Sequence, residues 1–127
     1  MRIFKRNPFN RFARKEKITD NTLIEVVAEI EKGLYEADLG GGLIKKRVAR
    51  QGGSKSGGYR TVVAYRKGKR VVFLHGFAKK DKANLSVSEE AAFRKLAKAY
   101  LSLSETDIEK VLHEKELEEV NYGKGKV

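Results

Sequence analysis

Apolar positions in this chain recur first at helical spacing, then every second residue, then at helical spacing again. A short strand candidate, Arg2 to Lys5, precedes them. Asn7 can cap a helix whose first position is Pro8, where a missing N–H costs nothing. Phe9, Phe12 and Ala13 then fall on one face. Leu23, Val26, Val27, Ile30 and Leu34 follow at steps of 3, 1, 3 and 4, which predicts an amphipathic helix capped by Thr19 or Asp20. Gly33 weakens its last turn. Gly40-Gly41-Gly42 breaks the chain.

Leu43 to Arg50 is short and β-capable, and Tyr59 to Arg66 is rich in Val, Tyr and Thr. Lys67-Gly68-Lys69 reads as a hairpin turn. Arg70 to Ala78 is the most apolar strand and belongs at the sheet centre. Ser86 and Glu89 are spaced as a capping box, and Ser104 and Asp107 as its looser acidic form. Phe93, Leu96, Ala97 and Tyr100 share a helix face, as do Ile108, Val111 and Leu112.

The predicted order is β-α-α-β-β-β-α-α. The last three strands, close in sequence, form an antiparallel meander. This is a small α+β architecture with two C-terminal helices. Its helices are expected on one face and one end of the sheet, leaving the other face to carry cations. A chain of 127 residues fits one domain and can bury a core without staples. The expected domain is residues 1–121, with a C-terminal helical extension at about 104–121 and a frayed tail at 122–127.

Charge changes this picture most between Lys45 and Lys82. That stretch holds thirteen Lys or Arg residues and one acid, Asp81, while the whole chain is at +11. Like charges this dense repel one another, and a polyanion is the partner that accounts for them. The C-terminal third, residues 86–127, carries 7 basic and 9 acidic residues and is not the expected contact. There is no cysteine, so disulfides and thiolate metal sites are excluded, and His75 and His113 alone do not make the usual zinc patterns. No metal or cofactor is expected. The start lacks the long apolar run of a secretory signal, and no segment approaches the ~20 apolar residues of a membrane span. A cytoplasmic protein is expected.

Alternation in Leu43 to Arg50 points Lys45 and Arg47 one way and Ile44, Lys46 and Val48 the other. Two cations on one strand face lie about 7 Å apart, near the spacing of successive phosphates. Arg60 shares a face with Val62 and Ala64, and Arg66 ends that row. A cationic groove across a concave sheet is the functional reading, and a solvated lysine-rich edge is the competing one. Gly52 to Gly58 departs from the P-loop pattern and reads as a flexible connection, though Lys55 can close from it over a phosphate. His75, among Val71, Phe73 and Phe77, reads as a packed core residue, and His113 as a surface one.

One acid in the basic stretch is too few to hold Mg²⁺. Chemistry on RNA does not need it, because the 2′-OH can attack the adjacent phosphate. The protein must then position the strand, move a proton and stabilise charge on the phosphorane. Arg suits the last task through its bidentate fork, and a lysine crowded by other cations gives up its proton more readily.

Leu43-Ile-Lys-Lys-Arg-Val-Ala-Arg50, Ser56-Gly-Gly-Tyr-Arg60 and Val72-Phe-Leu-His-Gly-Phe-Ala-Lys-Lys80 resemble the RelE/ParE superfamily of bacterial toxins, most closely its HigB-like, phage-associated branch. The resemblance covers about residues 1–100. It implies N-terminal helices packed on a curved antiparallel sheet. It also implies a metal-free endoribonuclease that cuts mRNA at the ribosome, and a cognate antitoxin partner that blocks the active face. Carried over residue by residue, the functional cations are Lys45, Arg47, Arg60 and Lys80, with Lys79 beside it. Lys46, Arg50, Lys55, Arg66, Lys79 and Lys82 are expected to hold RNA. The Tyr or His that several family nucleases carry a few residues after the last strand has no counterpart near Leu85 to Val87, and Lys80 stands where Arg is common. Two other functions stay open: a ParE-like inhibitor of DNA gyrase, which the resemblance to the superfamily also implies and in which the cations would be incidental, and a non-catalytic nucleic-acid-binding protein. Among aromatic residues in the basic strands only Tyr59 and Tyr65 look exposed, which argues against stacking of single-stranded bases.

Overall fold

The computed structural model describes residues 1–50, 58–82 and 84–121. These form β1 (Arg2–Arg6), α1 (Asn7–Lys15), α2 (Asp20–Glu31), β2 (Ala37–Gly40), β3 (Leu43–Val48), β4 (Tyr59–Arg66), β5 (Arg70–Ala78), α3 (Val87–Ser102), α4 (Glu105–His113) and β6 (Leu117–Val120). One mixed sheet runs β2-β3-β4-β5-β1-β6. The expected meander is β3-β4-β5, antiparallel throughout, with β5 inside the sheet. β1 joins β5 in parallel and β6 antiparallel, so the α+β class holds while the sheet is not purely antiparallel.

Helices pack on both faces of the sheet, contrary to the expectation of one free face, although α3 leaves one end of the second face uncovered. Ile3, Ile44, Val63, Val71 and Phe73 meet Phe9 of α1 and Leu23, Val27 and Ile30 of α2. On the opposite side Phe4, Leu43, Val62, Ala64, Val72 and Leu74 meet Ala97 and Leu101 of α3, Ile108 of α4 and Leu117. The central strands are apolar on alternate and intervening positions alike, so both faces need a helical layer.

Local signals account for most boundaries. The Thr19 hydroxyl accepts from the N–H of Thr22 at 3.2 Å and opens α2. The helix closes in a Schellman motif: the N–H of Gly33, at φ +82, donates to the Ile30 carbonyl, and that of Leu34 to the Glu29 carbonyl. Gly33 therefore stops the helix rather than merely weakening it. Ser86 and Glu89 form a reciprocal capping box, and Ser104 caps α4.

Three boundaries differ from expectation. Asn7 is the first residue of α1 and not its cap, because its N–H donates to the Glu116 carbonyl at 3.2 Å. Residues 37–40 form a strand that pairs with β3. The C-terminal helix ends at His113, and 117–120 returns as a strand, because β1 has an open edge whose backbone groups need partners.

Candidate nucleic-acid interface

Cross-strand register builds a small grid on the α3 side of the sheet. Lys45, Val62 and His75 lie side by side on β3, β4 and β5, and Arg47, Arg60 and Phe77 form the next row. Neighbours within a row are about 5 Å apart and the rows about 7 Å apart. Farther along the same face, Leu43, Ala64 and Val72 lie under α3. The cationic rows sit at the end of the sheet where α3 begins.

Lys45 is partly exposed, and its Nζ reaches Asn84 Oδ1 at 3.4 Å. Arg47 is exposed, and its backbone N–H donates to Glu36 Oε1. Arg60 is only 7 % exposed, yet its Nη1 is buried with no hydrogen-bond partner among the described residues. An enclosed guanidinium nitrogen without an acceptor is costly, about 1–3 kcal/mol and more because it is charged. Such a cost is commonly tolerated where a ligand supplies the missing acceptor. Lys79 and Lys80 are exposed in the turn after β5, where the N–H of Lys79 donates to the Gly58 carbonyl. They therefore lie at the same end of the sheet as the Arg47–Arg60–Phe77 row. Lys45, Arg47 and Arg60 thus share one surface, and Lys80 borders it.

Other expected contacts separate from the grid. Lys46 is 1 % exposed on the opposite face, where its Nζ pairs with Glu29 at 2.8 Å and donates to the Leu34 carbonyl at 2.7 Å. It cannot touch RNA there, and that expectation is corrected. Arg50 lies over the Tyr59 ring at 5.6 Å, and that ring packs edge-on against Phe12 of α1. Arg66 pairs in register with Arg70, six residues and so about 20 Å along β4 from Arg60. It too lies away from the grid. Lys82 is engaged by Glu89, with Nζ 2.6 Å from Oε2. That pairing, with the capping hydrogen bond from Ser86, lowers the Glu89 pKa from 4.5 to about 2. Lys55 lies outside the described residues.

His75 is half-buried on the α3 side and does not enter the core with Val71 and Phe73, as its neighbours in sequence suggest. A register shift between Val62 and Val63 places Leu74 and His75 on the same side, so His75 leaves the face of Val71 and Phe73. Its ring stacks on Phe93 of α3, centroids 5.1 Å apart at 24°, with Phe77 at 5.9 Å. The Arg6 guanidinium lies 5.9 Å above the other ring of this group, Phe93, and its Nε donates to the Leu74 carbonyl. Burial, and then the Arg6 charge, lower the His75 pKa below 6.5; Glu89 opposes this and Lys82 adds to it. Aromatic side chains therefore do line the cationic face, contrary to the expectation from the strands alone. Arg6 and Phe93 belong to distant segments, so no local spacing ties them to the grid.

A hollow of about 470 Å³ lies elsewhere, lined by Asn10, Arg14, Leu112, Glu118 and others. It carries both signs of charge and none of the grid residues. Among the described residues, no three His, Cys, Asp or Glu side chains come together as a metal site. No described helix is long and apolar enough to cross a membrane.

A family model described as the RelE toxin of the RelE / RelB toxin-antitoxin system matches residues 1–120. No curated protein matches the sequence.

Proposed function

We propose, for a chain that belongs to the RelE toxin family, that it halts translation by cutting mRNA on the ribosome through metal-independent attack of the 2′-OH on the adjacent phosphate. The observation that carries this reading is Arg60, an enclosed guanidinium whose Nη1 has no partner among the described residues, set between Arg47 and Phe77 on the cationic side of the sheet. A phosphate supplies the acceptor that Nη1 lacks. Arg60 and Arg47 then stabilise the charge that grows on the phosphorane. Lys45 gives a proton to the departing 5′-oxygen, and Lys79 and Lys80 hold a flanking phosphate. The antitoxin that the family implies covers this face, where an acidic segment matches its charge. The motifs Ser56 to Arg60 and Phe77 to Lys80 support placement in the HigB-like, phage-associated branch.

Inducible expression, with and without the neighbouring gene product, tests the reading. Growth should stop without the partner, and cut mRNA should carry 2′,3′-cyclic phosphate ends. Lys45→Ala, Arg47→Ala and Arg60→Ala should each relieve the arrest while the purified proteins remain folded. A soluble, folded triple variant that still arrests growth removes this site. DNA damage without new RNA ends points to gyrase instead.

A further inference from the structure

The site proposed above has cations in place but no assigned group to take the proton from the 2′-OH. We infer that His75 is that proton acceptor, held by its ring faces beside the phosphate position, with its nitrogens unbonded among the described residues. This inference rests on the nuclease reading.

Three observations carry it. First, a buried structural histidine normally spends its ring nitrogens on hydrogen bonds. Among the described residues His75 makes none, and neither nitrogen is an enclosed unsatisfied atom. The imidazole is held by stacking on Phe93 and contact with Phe77, which fixes the ring and leaves its edge available. Second, the register puts His75 beside Val62 and diagonal to Arg60, on the same face. Diagonal neighbours are about 7–8 Å apart, a span that an adjacent phosphate and 2′-OH can bridge. Third, the groups around it favour the neutral ring. Arg6 from β1 and Lys82 from the connection disfavour the imidazolium, as does burial, against Glu89 from α3. Lys45 and Arg60 from β3 and β4 face it from the sheet side.

The step balances without a co-reactant. The 2′-O–H bond breaks and its proton goes to a His75 nitrogen, as the 2′-oxygen bonds to phosphorus. The phosphorus–5′-oxygen bond then breaks, and that oxygen takes the proton from Lys45. The products are a 2′,3′-cyclic phosphate and a free 5′-OH.

The test is single-turnover cleavage of ribosome-bound mRNA by purified full-length wild type, His75→Phe and His75→Gln across pH 5–8, with RNA binding measured in parallel. His75→Phe keeps the stack on Phe93. It should bind RNA within about threefold of wild type and cut roughly 10²–10³ times more slowly. The wild-type rate should fall as pH drops through a midpoint below 6.5, and that fall should vanish in both variants. His75→Phe cutting within threefold of wild type, or keeping the acid-side fall, overturns the role. If Arg60→Ala loses cleavage while His75→Phe retains it, the nuclease reading stands and this assignment alone fails. A wild type that leaves no cyclic phosphate ends removes both.

Discussion

Replacing Arg60 with Met should make the protein more stable and abolish toxicity. The side chain is 7 % exposed, and its Nη1 lacks a partner among the described residues. A buried, unsatisfied donor costs about 1–3 kcal/mol, and more when charged. Arg47 lies directly opposite in the ladder, and like charges facing across strands cost up to about 1 kcal/mol. Met fills a comparable volume with no polar group, as when apolar residues replace buried ions elsewhere with gains of about 1–4 kcal/mol. The loss of whatever water Arg60 still reaches offsets part of this, so about 1–3 kcal/mol is the expected net gain. For a chain of 127 residues each kcal/mol moves Tm by about 3–5 °C, so differential scanning calorimetry should show a rise of about 3–15 °C. The same variant should no longer arrest growth. A fall in Tm with toxicity lost would mean that the guanidinium is satisfied in the free protein, and the inference of a missing anion would be wrong.

Lys46→Ala should behave in the opposite sense. It leaves Glu29 without its 2.8 Å partner and the Leu34 carbonyl without its donor, so urea unfolding should report a loss of about 2–4 kcal/mol with RNA affinity per folded molecule unchanged. Gly76→Ala should lower stability by about 1–3 kcal/mol, because a Cβ there would come within 2.5 Å of the Phe12 ring; circular dichroism melts would check it. The Glu89 pKa is depressed from 4.5 to about 2, so its contribution is complete above about pH 4.5 and is lost as pH falls toward 2. Glu89→Gln should therefore flatten the stability profile over that window, measured by denaturant midpoints at stepped pH; an unchanged slope would mean that the Lys82 pairing is absent in solution.

Much of the fold was legible because short-range physics wrote it. The helical period of Leu23 to Ile30, the Ser86–Glu89 box and the Lys67-Gly68-Lys69 turn each act within a few residues, and each stands where the spacing put it. The alternation of Lys45 and Arg47 against Ile44 and Lys46 also held, because a strand turns every second side chain to the same face. What alternation could not say is what covers each face. Lys46 and Arg47 are adjacent and chemically alike, yet one is sealed under α2 and the other is exposed.

The sequence by itself determined the class of elements, the basic stretch and the two faces of β3, since these depend on neighbours along the chain. Tertiary structure alone decided that 117–120 becomes an edge strand, that α3 covers only part of the second face, and that a shifted register swings His75 to the cationic side. Each of these is settled by contacts between segments far apart in sequence: an open backbone edge on β1, an apolar second face on β4 and β5, and a bulge between those two strands. One extra residue in a ladder reverses the facing of those that follow, and no pattern read along a single strand carries that information.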